Sequence, residues 1–302
     1  MTGPLVECVP NFSEGKDRRK VDAIASSVAS VHGVSVLDVT LDPDHNRSVI
    51  TFAGSPEAVQ EAAIRAVARA VEAIDLTTQA GVHPRIGAAD VVPFVPVRGI
   101  TLQACAGLAT MAGEQIWRRL GVPVYLYEAA ARRADRVNLE NIRRGGFETL
   151  RQLVRTDPER LPDFGDGELH PTAGATAVGA RRFLIAFNIN LRTPDVAIAR
   201  QIAKDIRTSS AGLPCVKAIG VRLDSRNLAQ VSMNLTDFER TPVHRVFSEV
   251  RDRAAAQEVE IEGCEIIGLI PRKALEGSEE WLPKVEGFGP ELIVENRLNE
   301  LE

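Results

Sequence analysis

Apolar positions along the chain follow two alternating periods, and the alternation occurs twice. Residues 5–12 are an apolar run of strand length, and residues 16–31 then carry Val21, Ile24, Ala25 and Val28 at the spacing of one helix face. Residues 34–39 and 48–52 are β-branched runs separated by the turn-rich Asp42, Pro43, Asp44, His45 and Asn46, which predicts neighbouring strands. Ser55 as N-cap with Pro56 at the first helical position predicts a helix whose stripe is Val59, Ala62, Ala63, Ala66, Val67 and Ala70. Residues 91–97 close the set as a strand in which Pro93 and Pro96 predict an edge or a bulge.

The same order, βαββαβ, returns from Phe183. FLIAFNINL is a strand, Thr193-Pro194 predicts the cap of a helix through Arg207, and residues 216–223 and 229–235 are strands. Thr241-Pro242 opens a helix with Val243, Val246, Phe247 and Val250 inward, and residues 265–270 form the closing strand. Leu5 matches Leu184 and Ser55 matches Thr241, offsets of 179 and 186 residues, so Asn11 aligns with Asn190. The expected class is α+β: two ferredoxin-like subdomains, residues 1–179 and 180–302, each a four-stranded antiparallel sheet with both helices on one face. Sheets facing one another across a ligand groove would cover the remaining faces. Between the repeats, residues 102–120 predict a helix, 122–127 a strand and 138–154 mostly helix. Residues 157–179, rich in Pro, Gly and Asp, predict a long ordered loop or hinge.

Charge narrows the function classes. Lys and Arg number 36 against 41 Asp and Glu, a formal charge of -5, so no global field exists to hold nucleic acid or anionic lipid. No apolar stretch has the length of a membrane span, and residues 1–10 lack a basic segment followed by an apolar run, so a cytoplasmic protein is expected. Cys8, Cys105, Cys215 and Cys264 lie far apart in apolar contexts and are expected as buried free thiols.

Polar residues stand out of place in three segments. Glu7 interrupts an apolar strand, where a carboxylate needs a partner, with Asn11, Ser13 and Glu14 just after it and Ser13 a candidate helix cap. Asp42, Asp44 and His45 are adjacent ligands in one turn and do not make a metal site, whereas Asn46 and Arg47 suit substrate contact. In GVHPRIGAADVVPF, His83 stands beside Arg85 and is the best general acid/base candidate, because one imidazole both gives and takes protons near neutral pH. GATAVGAR lacks the Lys-Ser/Thr of a phosphate loop, and its glycines predict a hinge or a close approach to a flat ligand.

The segments LVECVPNFSEG, DHNRSVITFAGSPEAV, GVHPRIGAADVVPFVPV, VPVYLYEAAA, PDFG, GATAVGARRFLIAFNINL, KAIG, AQVSMNLTDFERTPVH and IIGLIP together resemble the glutamate formimidoyltransferase family, in the family's order over residues 5–271. The family's cyclodeaminase domain has no counterpart here. The resemblance implies two ferredoxin-like subdomains, a homodimer, and transfer of the formimino group of N-formimino-L-glutamate to N5 of tetrahydrofolate, with no metal. It puts the catalytic histidine on His83. The polar segments are expected to supply substrate contacts from Glu7, Asn11, Asp38, His45, Asn46, Arg47 and Arg85, with the two arginines suiting the glutamate carboxylates. The folate loop falls on Gly165, Asp166, Gly167, Glu168, Leu169, His170, Pro171, Thr172, Ala173 and Gly174. Two positions depart from the animal pattern: Val82 stands in place of Glu before the histidine, and Thr40 in place of a second acid after Asp38. Asp38, Asp42, Asp44 or Glu7 would then orient the histidine. Another formimino donor, such as formiminoglycine, or a non-enzymatic folate-binding protein are the alternatives.

Overall fold

The chain divides after Arg181 into two units, Met1–Arg181 and Arg182–Glu302, each built around its own sheet; the computed structural model describes residues 3–80 and 84–299. In the first unit the opening strand is split into β1 (Leu5–Cys8) and β2 (Asn11–Phe12) around Val9-Pro10. Then come α1 (Arg18–Ala29), β3 (Val34–Asp42), β4 (Arg47–Gly54), α2 (Pro56–Ala73), β5 (Ala89–Arg98), α3 (Leu102–Leu120), β6 (Val124–Glu128), α4 (Leu139–Arg143), α5 (Gly146–Leu153) and β7 (Thr176–Ala180). The spatial order is β3, β4, β1 with β2, β5, β7, β6. Neighbours as far as β5 run antiparallel, while β5–β7 and β7–β6 are parallel.

The stripes expected on α1 and α2 are buried, with Val21, Ile24 and Val28, and Val59, Ala62 and Ala66, packed with Val6, Cys8, Phe52 and Phe94. Strand alternation then sends Glu7, Asp38, Asp42 and Thr51 to the face opposite α1 and α2. Part of that face, over β5, β7 and β6, carries Val91, Tyr125 and Tyr127 packed with Ile142 of α4 and Leu150 of α5.

Several local expectations are corrected. Strand β5 is interior, so of the edge or bulge expected from its prolines the edge is overturned and an irregularity of the bulge kind is found. Pro93 lies beside the gap between β1 and β2, and Pro96 beside the register shift at Leu5 and Val6, so the missing N–H groups fall where the ladder is irregular. The GATAVGAR segment is not a hinge: most of it is β7, an interior strand. A Cβ on Gly179 would lie 2.5 Å from the Tyr127 ring, so the flat group that its glycine admits belongs to the protein itself. The cap of α1 is Asp17, which accepts the Arg19 N–H at 3.0 Å, and not Ser13.

The second unit has β8 (Ile185–Leu191), α6 (Val196–Ile206), β9 (Val216–Leu223), β10 (Leu228–Leu235), α7 (Val243–Ala255) and β11 (Ile261–Ile267). Its sheet, ordered β11-β8-β10-β9, is antiparallel throughout. Asp195, rather than Thr193, caps α6 by accepting the Ala197 N–H, and β11 starts four residues earlier than its apolar run, at Ile261. Ile185, Phe187, Ile189 and Leu191 form a core with α6 and α7, and Trp281 meets Phe187 edge-on with ring centres 5.3 Å apart.

Three cysteines are buried and Cys215 is half-buried; all four are free. Burial, reinforced by the Glu7 carboxyl, holds the Cys8 thiol protonated and a poor nucleophile.

Candidate functional site

The three polar segments converge in the first unit. Gly15 approaches the 42–47 turn so closely that a Cβ there would stand 2.1 Å from the Asp42 carbonyl oxygen. Its N–H donates to Asn46 Oδ1 at 3.0 Å, and Asn46 Nδ2 donates to the Ala80 carbonyl at 2.7 Å. Asn46 takes the left-handed backbone conformation, φ 49°, which asparagine tolerates better than most residues. The Ser13 hydroxyl donates to the Gly87 carbonyl at 2.7 Å, tying the first segment to the third. These contacts line a small pocket, about 230 Å³ including its open mouth, with Asn11, Phe12, Ser13, His45, Asn46, Arg47, Arg85 and Asp90.

Charge in the pocket is dense and ordered. Asp42 accepts the backbone N–H of His45 at 2.9 Å and lies 2.5 Å from its Nδ1, so one carboxylate fixes both the turn and the ring. Burial works against the Asp42 charge, but the hydrogen bonds from His45 hold its carboxyl below the usual range. Asp90 accepts the Ile86 N–H at 2.8 Å and is paired with Arg143. Burial, helped by repulsion from Arg143, lowers the Arg47 guanidinium to about 10, leaving it charged at neutral pH. Arg85 donates to the Gln79 carbonyl at 2.6 Å and to Glu148 at 3.2 Å, while its buried Nε has no hydrogen-bond partner among the described residues.

Glu7 lies outside the pocket lining. It sits directly opposite Ala53 on β4 and Val95 on β5, is 1% exposed, and neither carboxyl oxygen has a hydrogen-bond partner among the described residues. Burial raises it to about 7 against the pull of the Arg181 charge. Asp38 also stands apart, opposite Thr51 and accepting the Thr40 hydroxyl at 2.6 Å. His83 lies outside the described residues, as do Gly81 and Val82.

The expected folate loop is divided. His170 to Gly174 is an ordered turn: the two residues exchange backbone hydrogen bonds, and His170 Nδ1 accepts the Ala173 N–H at 3.0 Å. Burial lowers the His170 pKa, which suits that acceptor role. Ala173 and Ala175 bond to Ala88 and Ile86, so this end lies against the segment after Arg85. Gly165, Asp166, Gly167, Glu168 and Leu169 precede it, and Glu168 is paired with exposed Arg155. The start of the loop is clamped by the buried Arg136, which binds the Asp163 carboxylate and the Leu161 carbonyl. Asp90 and Arg143 escaped the sequence reading. An acid between Ala89 and Val91 in an apolar strand carried the same signal as Glu7, whereas nothing local marks Arg143. Among the described residues no group of three or more His, Cys, Asp or Glu is placed to hold a metal ion.

Comparison with known proteins gives a consistent set. Residues 5–181 match the formiminotransferase domain, N-terminal subdomain, and residues 186–291 match the formiminotransferase domain. The chain is 45% identical over 295 residues to a glutamate formimidoyltransferase of Streptococcus pyogenes serotype M1, covering 97% of this chain and 98% of that protein. It is 43% identical over 296 residues to a glutamate formimidoyltransferase of Thermoplasma acidophilum, covering 97% of each. Against the formimidoyltransferase-cyclodeaminase of Sus scrofa it is 47% identical over 277 residues, covering 90% of this chain and 51% of that protein.

Proposed function

Because the chain belongs to the formiminotransferase-domain family across both of its units, we propose that it is a glutamate formimidoyltransferase, moving the formimino group of N-formimino-L-glutamate to N5 of tetrahydrofolate. The observation that carries this reading is the near full-length match to relatives bearing that name. The pocket supports it. A donor with two carboxylates needs paired cations, and Arg47 and Arg85 line one small pocket with Asn11, His45 and Asn46. In the reaction N5 attacks the amidine carbon, the tetrahedral intermediate collapses, and the glutamate nitrogen leaves with the electron pair of the broken bond. His83 takes the N5 proton as N5 attacks and returns one to the departing glutamate nitrogen, and Glu7 and Asp38 lie on the face opposite α1 and α2. Gly165 to Gly174 forms the folate loop, and tetrahydrofolate is a co-substrate in chemistry that needs no metal. The N-terminal subdomain, 1–179, carries the catalytic histidine and 180–302 is its C-terminal counterpart, both ferredoxin-like, in a cytoplasmic homodimer.

The test mixes purified protein with tetrahydrofolate and N-formimino-L-glutamate and follows acid cyclisation of the product to 5,10-methenyltetrahydrofolate by absorbance at about 350 nm, with His83→Gln expected to lose about 10²- to 10⁴-fold in turnover. Turnover with formiminoglycine alone would reassign the donor. Folate binding with no turnover of either donor would make the chain a binding protein.

A further inference from the structure

Buried arginines normally spend their N–H groups on partners, and two arginines at this pocket do so only in part. Arg85 lines the pocket, and its Nη2 donates to the Gln79 carbonyl and to Glu148, yet its buried Nε has no hydrogen-bond partner among the described residues. Arg143 repeats the pattern. Its Nη2 donates to Asp90 Oδ2, and its buried Nε likewise has no hydrogen-bond partner among the described residues. Asp90 Oδ1 is turned to the Ile86 N–H at 2.8 Å, so the two-pronged pairing that would have used the Arg143 Nε is not made. The Arg143 side chain is 13% exposed and that of Arg85 14%, so neither is sealed inside the protein.

Local structure brings these groups together from distant parts of the chain. Ile142 packs with Val91, Tyr125 and Tyr127, which seats α4 on β5 and β6 and puts the next residue, Arg143, within reach of Asp90. Gly145 and Gly146 then take left-handed φ values of 87° and 69°, and a Cβ on Gly146 would stand 3.6 Å from the Arg85 carbonyl oxygen. The turn after Arg143 therefore lies against the segment that carries Arg85.

Positive charge is in excess here. Asp90 is paired with Arg143 and also attracts Arg47, so one carboxylate serves two guanidiniums. Burial, and repulsion from Arg143, lower Arg47 to about 10. Glu148, beside Arg85, is 65% exposed and screened by solvent. A water molecule would satisfy either open N–H, but only an anion also offsets the charge.

We propose that Arg143 is a third donor-binding arginine, whose Nε–H edge receives one of the donor's two carboxylates while Asp90 holds the guanidinium in place. For the identity of the anion the proposal rests on the formimino-transfer reading. It gives the pocket a dicarboxylate-binding residue from a helix that lies outside the three polar segments.

The test uses the full-length protein and Arg143→Lys, which keeps a charge for Asp90 to pair with but has no Nε–H edge. Arg143→Gln is the second variant should the lysine protein fail to fold, as judged by thermal unfolding. Kinetics give KM for N-formimino-L-glutamate and for tetrahydrofolate, and calorimetry gives the affinity for L-glutamate, which has the same two carboxylates. Expected for Arg143→Lys are a rise of about 10- to 100-fold in donor KM and a matching loss of L-glutamate affinity, with folate KM within about twofold of wild type and the melting temperature little changed. A residue that only ties α4 to β5 would be rescued by lysine. A folded Arg143→Lys protein with wild-type donor KM and L-glutamate affinity would overturn the proposal, as would a rise in folate KM alone. Should the wild type bind L-glutamate without turnover, the transfer reading fails, and the L-glutamate affinity of Arg143→Lys decides this proposal separately: a loss upholds it and no change overturns it. An inactive wild type that binds no L-glutamate would overturn both.

Discussion

The two units bury polar side chains on matching strands, on the face opposite α1 and α2 in the first and opposite α6 and α7 in the second, and pair them to different extents. In the second unit Asn190 donates to Glu265 at 2.8 Å, Gln230 donates to Asn190 at 2.8 Å and to Glu265 at 3.0 Å, and Arg226 adds a further bond to Glu265. That network pairs most of its polar atoms and leaves one buried atom, Gln230 Oε1, without a hydrogen-bond partner among the described residues. In the first unit Asn11, the aligned partner of Asn190, spends its amide on the nearby Val9 carbonyl. In the same unit, among the described residues, the buried Glu7 carboxyl and the Arg85 Nε have no hydrogen-bond partner, and the His45–Asp42 pair stands at the pocket. A buried polar group must be satisfied by the protein, by water or by a ligand. The contrast is one of degree, and it supports the reading that places ligand chemistry in the first unit.

The sharpest way to break this contrast is Arg47→Met. Removing one partner from a buried charged contact costs several kcal/mol, so kcat/KM for the donor should fall by about 10²- to 10³-fold. Steady-state kinetics with unchanged constants would remove the pocket from the reaction. Glu7→Gln comes next. The folded protein holds the Glu7 proton up to about 7 against a usual value of 4.5, so it binds that proton more tightly than the unfolded chain does. Its contribution to stability is full below about pH 4.5 and is lost as pH rises through about 7, a change on the order of 3 kcal/mol. Denaturant unfolding at pH 5 and pH 8 should show this loss in the wild type and a smaller pH dependence in Glu7→Gln. Equal dependence in both would mean that Glu7 is solvated or paired in solution.

How much of this was legible beforehand depends on distance along the chain. Helix stripes such as Val59, Ala62 and Ala66, and the antiparallel core of both units, follow from local periodicity. Strand β7 was hidden because Thr176, Ala177, Gly179 and Ala180 are small residues with a weak strand signature, chosen for the Tyr127 ring that lies against them. Strand β5 was legible but its interior place was not, because its prolines are tolerated there only through irregularities in β1 and β2. For the site, residue types such as Glu7 and Arg47 stood out as polar groups in strands. Their meeting did not, because Gly15 and Asn46 are 31 residues apart and Ser13 and Gly87 are 74 apart. Arg143 reaches Asp90 across 53 residues, and no local pattern announces such a pair.

On the second unit, Gln230→Leu should cost stability and spare catalysis. It leaves the Asn190 side-chain oxygen without its Gln230 donor and removes one donor from Glu265, an expected loss of about 1–3 kcal/mol with donor and folate KM unchanged. A loss of turnover with intact stability would place ligand chemistry in both units and erase the contrast.

The smallest effect is expected at the rim of the first unit. Glu148 contacts Arg85 at 3.2 Å, yet its side chain is 65% exposed. An exposed pair of this kind contributes little once screening and side-chain entropy are counted. Arg85 is held more firmly by the Gln79 carbonyl at 2.6 Å. Glu148→Gln should therefore change unfolding free energy by less than about 0.5 kcal/mol and donor KM by less than about twofold. A tenfold rise in KM would mean that Arg85 is aimed by the surface pair and not by the backbone beneath it. The open, ligand-ready character of the first unit would then extend to its outer edge.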